Sequence, residues 1–196
     1  MPSSMPHLLL AHRYQPLADP LFFIGSLAPD SVTERGLKDR LHLRNADNRE
    51  AALIALASRT DPTHPFAEGI LLHLFLDWKW DKGPQADFAQ HYGADWFLAY
   101  RAEISLLTVC LFHHFAWSQS LWDAMLAVES GAYPPMSDYT FAEIHAMIAR
   151  NRSIHRETAA AAPGFYVPDA VIRFIDNVKD DYVRWRKDNG YAGKRQ

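Results

Sequence analysis

A chain of 196 residues has enough material for one domain with a substantial core. It is 48% hydrophobic and 22% charged, ordinary for a soluble globular protein, and its formal net charge of -3 gives no general attraction to nucleic acid or anionic membrane. The lone Cys110 excludes an internal disulfide and fits a reducing compartment.

The opening MPSSMPHLLLAHR has no cationic n-region, and its apolar run from Leu8 to Ala11 is too short for a secretion signal, so a cytoplasmic location is expected. Gly25 and Pro29 bracket a turn in FFIGSLAPD. A short helix is predicted over Thr33 to Leu43, and Asp47 is placed to cap another from about Arg49 to Arg59. Pro62 and Pro65 end that helix and start the next, which Gly83 and Pro84 close. A long helical stretch is predicted from about Asp95 to Ser130. Within it, Ile104 to Trp122 has no Asp, Glu, Lys or Arg, but Ser105, Thr108, His113, His114, Ser118 and Gln119 interrupt it. It therefore reads as the central helix of a soluble bundle rather than a transmembrane span.

GAYPPMSD is a break, Thr140 opens a helix to about Arg152, and AAAAPGFYVP is a loop. Pro168 or Asp169 starts a last helix running to about Asn189. Alternating Val/Ile/Thr runs bounded by hairpin turns are missing, which leaves little support for strands. The fold expected is all-α: a single-domain helical bundle over residues 1–190 with a metal site in its core, and a frayed tail over 191–196.

The segment GILLHLFLDWKWD, residues 69–81, is apolar almost all the way round, as a core helix is. Yet it carries His73 and Asp77 one turn apart, on the same face. A buried carboxylate is costly unless it is paired or bound to a metal. The same chain holds ten histidines, more than structure alone usually requires. His7, Asp30, His42, His73 and Asp77 form an ordered set of nitrogen and oxygen donors suited to zinc. Asp30 closes the apolar run LFFIGSLAPD, where a Pro-Asp ending aims a carboxylate at the core; the plainer reading is that it caps the next helix.

Those same motifs resemble the zinc-dependent phospholipase C and P1/S1 nuclease superfamily. The resemblance lies in an early His after MPSSMP, then GSLAPD, KDRLH and GILLHLFLD, and it covers roughly the first 80 residues. It implies that Asp30, His42, His73 and Asp77 bind zinc, with His7 as the early ligand and His12 as its rival. The chain departs from the family's pattern beyond that point. Gly83 stands where a further His is expected, and neither His113 nor His114 is followed four residues on by an acid. Asp81 and His114 are candidate substitutes, and Asp39 lies three residues before His42. One or two zinc ions are therefore expected rather than three.

The resemblance implies hydrolysis of a phosphoester by a metal-activated water, with a small phosphoester or phospholipid head group as substrate. Asp30 would be ligand and candidate general base, Asp77 a bridging carboxylate between two metals, and Phe22, Phe23, Trp78 or Trp80 either pocket wall or core. Two other classes stay open: a metal-binding protein without turnover, and a helical interaction protein in which His73 and Asp77 merely hydrogen-bond each other. The basic residues Arg184, Arg186, Lys187, Lys194 and Arg195 are interleaved with Asp180, Asp181 and Asp188 and read as a solvated helix end, not a nucleic-acid patch. A Trp-rich long helix is compatible with a homo-oligomer.

Overall fold

A computed structural model describes residues 2–61, 63–134 and 138–191. Every regular element among them is a helix: α1 (Ser4–Tyr14), α2 (Pro20–Gly25), α3 (Arg35–Leu41), α4 (Arg49–Ala57), α5 (Pro65–Lys82), α6 (Pro84–Tyr92), α7 (Trp96–His114), α8 (Ser118–Leu126), α9 (Phe141–Glu157) and α10 (Pro168–Asp188). Short 3-10 turns lie at Ala28–Ser31, Gly93–Asp95 and Ser130–Ala132. The all-α expectation holds. No helix of the described residues is long and apolar enough to cross a membrane.

α5 is the axis of the bundle. Eleven of its 18 residues are buried, so it faces neighbours on every side and packs against α1, α2, α4, α6 and α10. Pro65 sits in its first turn, where the missing N–H costs nothing. Phe22, Phe23, Trp78 and Trp80 all belong to one hydrophobic cluster that runs from Met5 to Trp185, so these aromatics are core.

The tightest crossing is between α2 and α5, where Gly25 and Gly69 let the two backbones touch. A Cβ on Gly69 would lie 2.2 Å from the Phe22 carbonyl oxygen, and one on Gly25 would lie 2.1 Å from that of Phe66. Only the absence of a side chain permits this approach. α10 is fastened at its far end: the Arg186 guanidinium donates to Glu68 and to the Tyr191 carbonyl, and the Tyr14 hydroxyl donates to Glu68 at 2.9 Å. Burying that charge is tolerable because Glu68 neutralises it and its donors are used.

Several sequence expectations change. Helices α1 and α6 and the short α2 were not foreseen; proline in the first turn of α2 and α6 opens a helix there rather than ending one. The stretch from Asp95 to Ser130 is two helices, α7 and α8, because the chain turns extended at Phe115. Asn48, not Asp47, caps α4, its side chain accepting from the Ala51 N–H at 3.0 Å. Thr140 and Glu143 form a capping box that opens α9, which runs on to Glu157. Tyr191 is no part of a frayed tail: its hydroxyl donates to the Ile54 carbonyl at 3.0 Å. Residues 192–196, with Lys194 and Arg195, lie outside the described residues, as do Pro62 and residues 135–137 of the GAYPPMSD break.

The glycine crossing is directly testable. Gly69→Ala should destabilise the protein by about 3 kcal/mol in urea unfolding, because backbone and not a flexible side chain blocks the new methyl group. Gly131→Ala, which meets open space, should change stability by less than about 0.5 kcal/mol. Equal effects for the two would remove the crossing from the account of the fold.

Candidate metal centre

Four separate segments bring five donor side chains together. His7 comes from α1, Asp30 from the 3-10 turn Ala28–Ser31, His42 from the residue that ends α3, and His73 with Asp77 from successive turns of α5. The turn that aims Asp30 is built locally. Its backbone N–H donates to the Leu27 carbonyl at 3.0 Å, and the Ser31 hydroxyl donates to the Ala28 carbonyl at 2.8 Å. Asp30 does not cap α3; Glu34 does.

Two of the histidines are held by backbone carbonyls. His73 Nδ1 lies 2.8 Å from the Ser26 carbonyl, and His42 Nδ1 lies 2.7 Å from the Lys38 carbonyl. A carbonyl only accepts, so both Nδ1 atoms carry the proton and both Nε2 atoms turn inward. Those Nε2 atoms are 3.3 Å apart. Two bare nitrogen lone pairs at that distance repel unless a cation stands between them, whether proton or metal.

The carboxylates complete the arrangement. His42 Nε2 is 3.5 Å from Asp30 Oδ1 and 3.7 Å from Asp77 Oδ2, and His73 Nε2 is 3.6 Å from the same Oδ2. The other oxygen of Asp77 lies 3.5 Å from His7 Nε2. The ring of His7 stacks on that of His73, with centroids 3.8 Å apart and planes 4° from parallel. Neither oxygen of Asp77 and neither ring nitrogen of His7 has a hydrogen-bond partner, although all are buried. At 3.5–3.7 Å these contacts are too long for good hydrogen bonds. Buried polar groups without partners are costly and uncommon, and a bound cation is one way to satisfy them.

The distances suit a tetrahedral metal. Four ligand atoms at the zinc bond length of 2.0–2.1 Å would stand about 3.3 Å from one another. The measured separations of 3.3–3.7 Å among the ligand atoms of His42, His73 and Asp77 lie just above that. Two triads, His7/Asp30/His73 and His42/His73/Asp77, each place their ligand atoms within 4.8 Å of one another.

Electrostatics tighten the cluster. Burial pushes the His7 imidazole down to about 4, helped by the neighbouring charge of His73, and Asp77 only partly offsets this. Burial acts the same way on His73, but the charge of Asp77 and its contact outweigh it and raise the group above the ordinary value. Burial works against the ionised form of Asp77; His73 and His7 overcome it and hold the carboxyl well below its usual range. Asp30 is also held below that range, with His42, His73 and Lys38 outweighing burial.

Two partners escaped the sequence reading. Lys38 Nζ is 2.9 Å from Asp30 Oδ1, a contact foreshadowed only by its place one turn before His42. Arg49 bonds Asp81 at 2.7 Å and lies 3.9 Å from Asp77 Oδ2, and no local pattern marks it. Asp81 thus sits behind the cluster and not in it. His12 stacks on Trp117 at 4.2 Å, Asp39 pairs with Arg44, and His113 bonds the Thr158 carbonyl, so these stay apart from the cluster; His114, next to His113, is exposed and makes ring contact with Phe115.

Searches against family models, curated proteins and solved structures found no match to this chain.

A second buried imidazole, outside the cluster, carries a pH prediction. His155 is 3% exposed, its Nε2 is 3.0 Å from the Ser4 hydroxyl, and burial followed by the charge of His113 pushes its pKa from 6.5 down to about 4. The unfolded chain therefore binds a proton that the fold refuses between those values. The stabilisation is full above pH 6.5 and falls as pH drops towards 4; at pH 5 this one group accounts for about 2 kcal/mol of lost stability. His155→Gln should lose less stability than the wild type between pH 7 and pH 5, measured as urea midpoints. The same loss in both would assign the pH dependence to other groups.

Proposed function

We propose that this protein is a metal-dependent phosphoester hydrolase, with zinc as the metal. The observation that carries the reading is Asp77: a buried carboxylate with neither oxygen hydrogen-bonded, facing the Nε2 atoms of His7, His42 and His73. Mixed nitrogen and oxygen donors at near-tetrahedral separations suit zinc better than calcium or magnesium, which prefer oxygen alone. Carbonyls bonded to the outer nitrogens of His42 and His73 are the usual support for histidine ligands. The resemblance to the zinc-dependent phospholipase C and P1/S1 nuclease superfamily adds the reaction class, and it rests on the order of these same five residues.

His42, His73 and Asp77 would hold one ion, and His7 with Asp30 would serve a second. Bound there, the metal supplies positive charge that makes a water nucleophilic near neutral pH and neutralises the phosphoryl oxygens. The chain's own residues do the rest. Asp30 accepts a hydrogen bond from the attacking water and so orients it. A proton it takes up can pass on to solvent. One-fifth of its side chain is open for that transfer. Lys38 keeps the carboxylate turned and adds charge near the phosphoryl group. The bond between phosphorus and the attacking oxygen forms, the ester P–O bond breaks, and the alcohol leaves with a proton from solvent.

A second reading is a metal-binding protein without turnover. What favours it is enclosure, since the side chains of His7, His42, His73 and Asp77 have no exposed surface. The two partnerless nitrogens of His7 favour the enzyme, since a second ion held by His7 and Asp30 would leave room for water.

Elemental analysis of protein purified without chelator should find one or two equivalents of zinc. Asp77→Asn should weaken zinc binding by more than about tenfold, because an amide is a far poorer ligand and even supporting residues of metal sites cost that much. Undiminished zinc in that variant would reject the site. Stripping the metal should lower the melting temperature and zinc should restore it, since the ions would join four segments of the native fold only. In a phosphoester assay Asp30→Asn should depress turnover while His114→Ala leaves it near wild type. The reverse pattern would place the chemistry elsewhere, and a zinc-loaded wild type inert on mono- and diesters alike would favour the second reading.

A further inference from the structure

The side chains of His7, His42, His73 and Asp77 are wholly enclosed, whereas Asp30 keeps 20% of its side chain exposed. A molecule reaching the cluster therefore comes in past Asp30. Asp30 and Lys38 line part of a groove of about 580 Å³ bounded by α1, α7 and α9. Ile104, Val109 and Met147 give this groove an apolar wall. Arg101 and Arg150 line it as well; both are exposed, and neither forms an ion pair with a described residue. Asp30 is the sole acid on its lining, and Lys38 already neutralises that charge. Two arginines without an ion pair to a described residue therefore line a cavity whose one acid among the described residues is already paired.

The opposite side of the cluster has a different character. A pocket of about 470 Å³ beside Arg49 is lined by Asp47, Glu50 and Asp81 against Arg49 and Lys82. Its net charge is negative, so an anion would be repelled there and drawn to the arginine groove.

We propose that the groove receives the substrate, and that Arg101 and Arg150 select a dianionic phosphomonoester with an apolar body over a monoanionic phosphodiester. This rests on the hydrolase reading above, and names the substrate class for it. A phosphomonoester carries a charge of about -1.5 to -2 at pH 7 and presents three acceptor oxygens, whereas a diester carries one negative charge and two free oxygens. Guanidinium groups grip phosphate oxygens in pairs, so two arginines match the extra charge and the extra oxygen of the monoester. The apolar body lies against Ile104, Val109 and Met147, while the phosphoryl group reaches Asp30. Arg101 and Arg150 are specificity residues: they hold the anion and take no part in bond making.

The test uses the full chain loaded with zinc and two probes that share a leaving group, 4-nitrophenyl phosphate and bis(4-nitrophenyl) phosphate. Phenylphosphonate, a dianion that cannot be hydrolysed, gives a binding measurement by calorimetry that is independent of turnover. The wild type should favour the monoester. Arg101→Gln and Arg150→Gln should each raise KM for the monoester and Kd for phenylphosphonate about tenfold, the usual worth of one charged hydrogen-bonding partner. Zinc content and kcat should hold, and the diester's KM should move less than about threefold. Equal losses on monoester and diester would overturn selection, leaving only general charge attraction. Unchanged phenylphosphonate binding in both variants would overturn the groove itself. Zinc uptake by a wild type that fails to bind phenylphosphonate overturns the groove while leaving the metal reading intact; failure to take up zinc overturns the metal reading, and the substrate role with it.

Discussion

A carboxylate buried without a hydrogen bond is the constraint on which the rest of this structure turns. Asp77 sits at the centre of the bundle with both oxygens sealed from solvent and three imidazole nitrogens within 3.7 Å. Leaving such a group uncompensated costs several kcal/mol, a large share of a domain's stability. The charge of His73 and the contact with His7 hold it ionised, and the surrounding segments bring those rings to it. A cation at the centre would satisfy the carboxylate and both inward-facing nitrogens of His42 and His73 at once.

The scaffold is arranged to keep that centre in register. Gly25 and Gly69 allow α2 to lie directly on α5, and this contact sets the Ser26 carbonyl 2.8 Å from the His73 ring. The same chain segment continues into the 3-10 turn that carries Asp30. One close helix crossing thus fixes a ligand, its supporting carbonyl and the approach of a second ligand. α3 contributes through its end: the Lys38 carbonyl turns His42 inward, while the Lys38 ammonium turns Asp30. Lys38 therefore acts twice, once through its backbone and once through its side chain.

Enclosure of four ligands and exposure of the fifth gives the centre a direction. The Asp30 side opens to solvent beside a groove that is cationic and partly apolar, while the Arg49 side is acidic. Arg49 itself bridges Asp77 and Asp81, placing a fixed positive charge behind the carboxylate. Such asymmetry would draw an anion towards the Asp30 face and away from the Arg49 face.

By itself the sequence determined the helical class and the nucleus of the site. The apolar run of residues 69–81 with one His and one Asp four apart demanded a core helix with an internal polar face, since local periodicity alone places both side chains on one side. The order of His7, Asp30, His42, His73 and Asp77 was legible as a donor set, but it carried no distances, and its link to a reaction stays a proposal. Helices α2 and α6 were missed because proline and glycine at their ends read as turns, and the break at Phe115 lay hidden inside a continuous apolar pattern. Only the tertiary structure brought α1 onto α5, sent His12, Asp39 and Asp81 to other partners, and placed Lys38 and Arg49 beside the carboxylates. The reason is physical. Which residues lie one turn apart is fixed by helix geometry, whereas contacts between Met5 and Trp122, or His7 and Asp77, depend on how separate helices bury their faces together, and no local spacing encodes that.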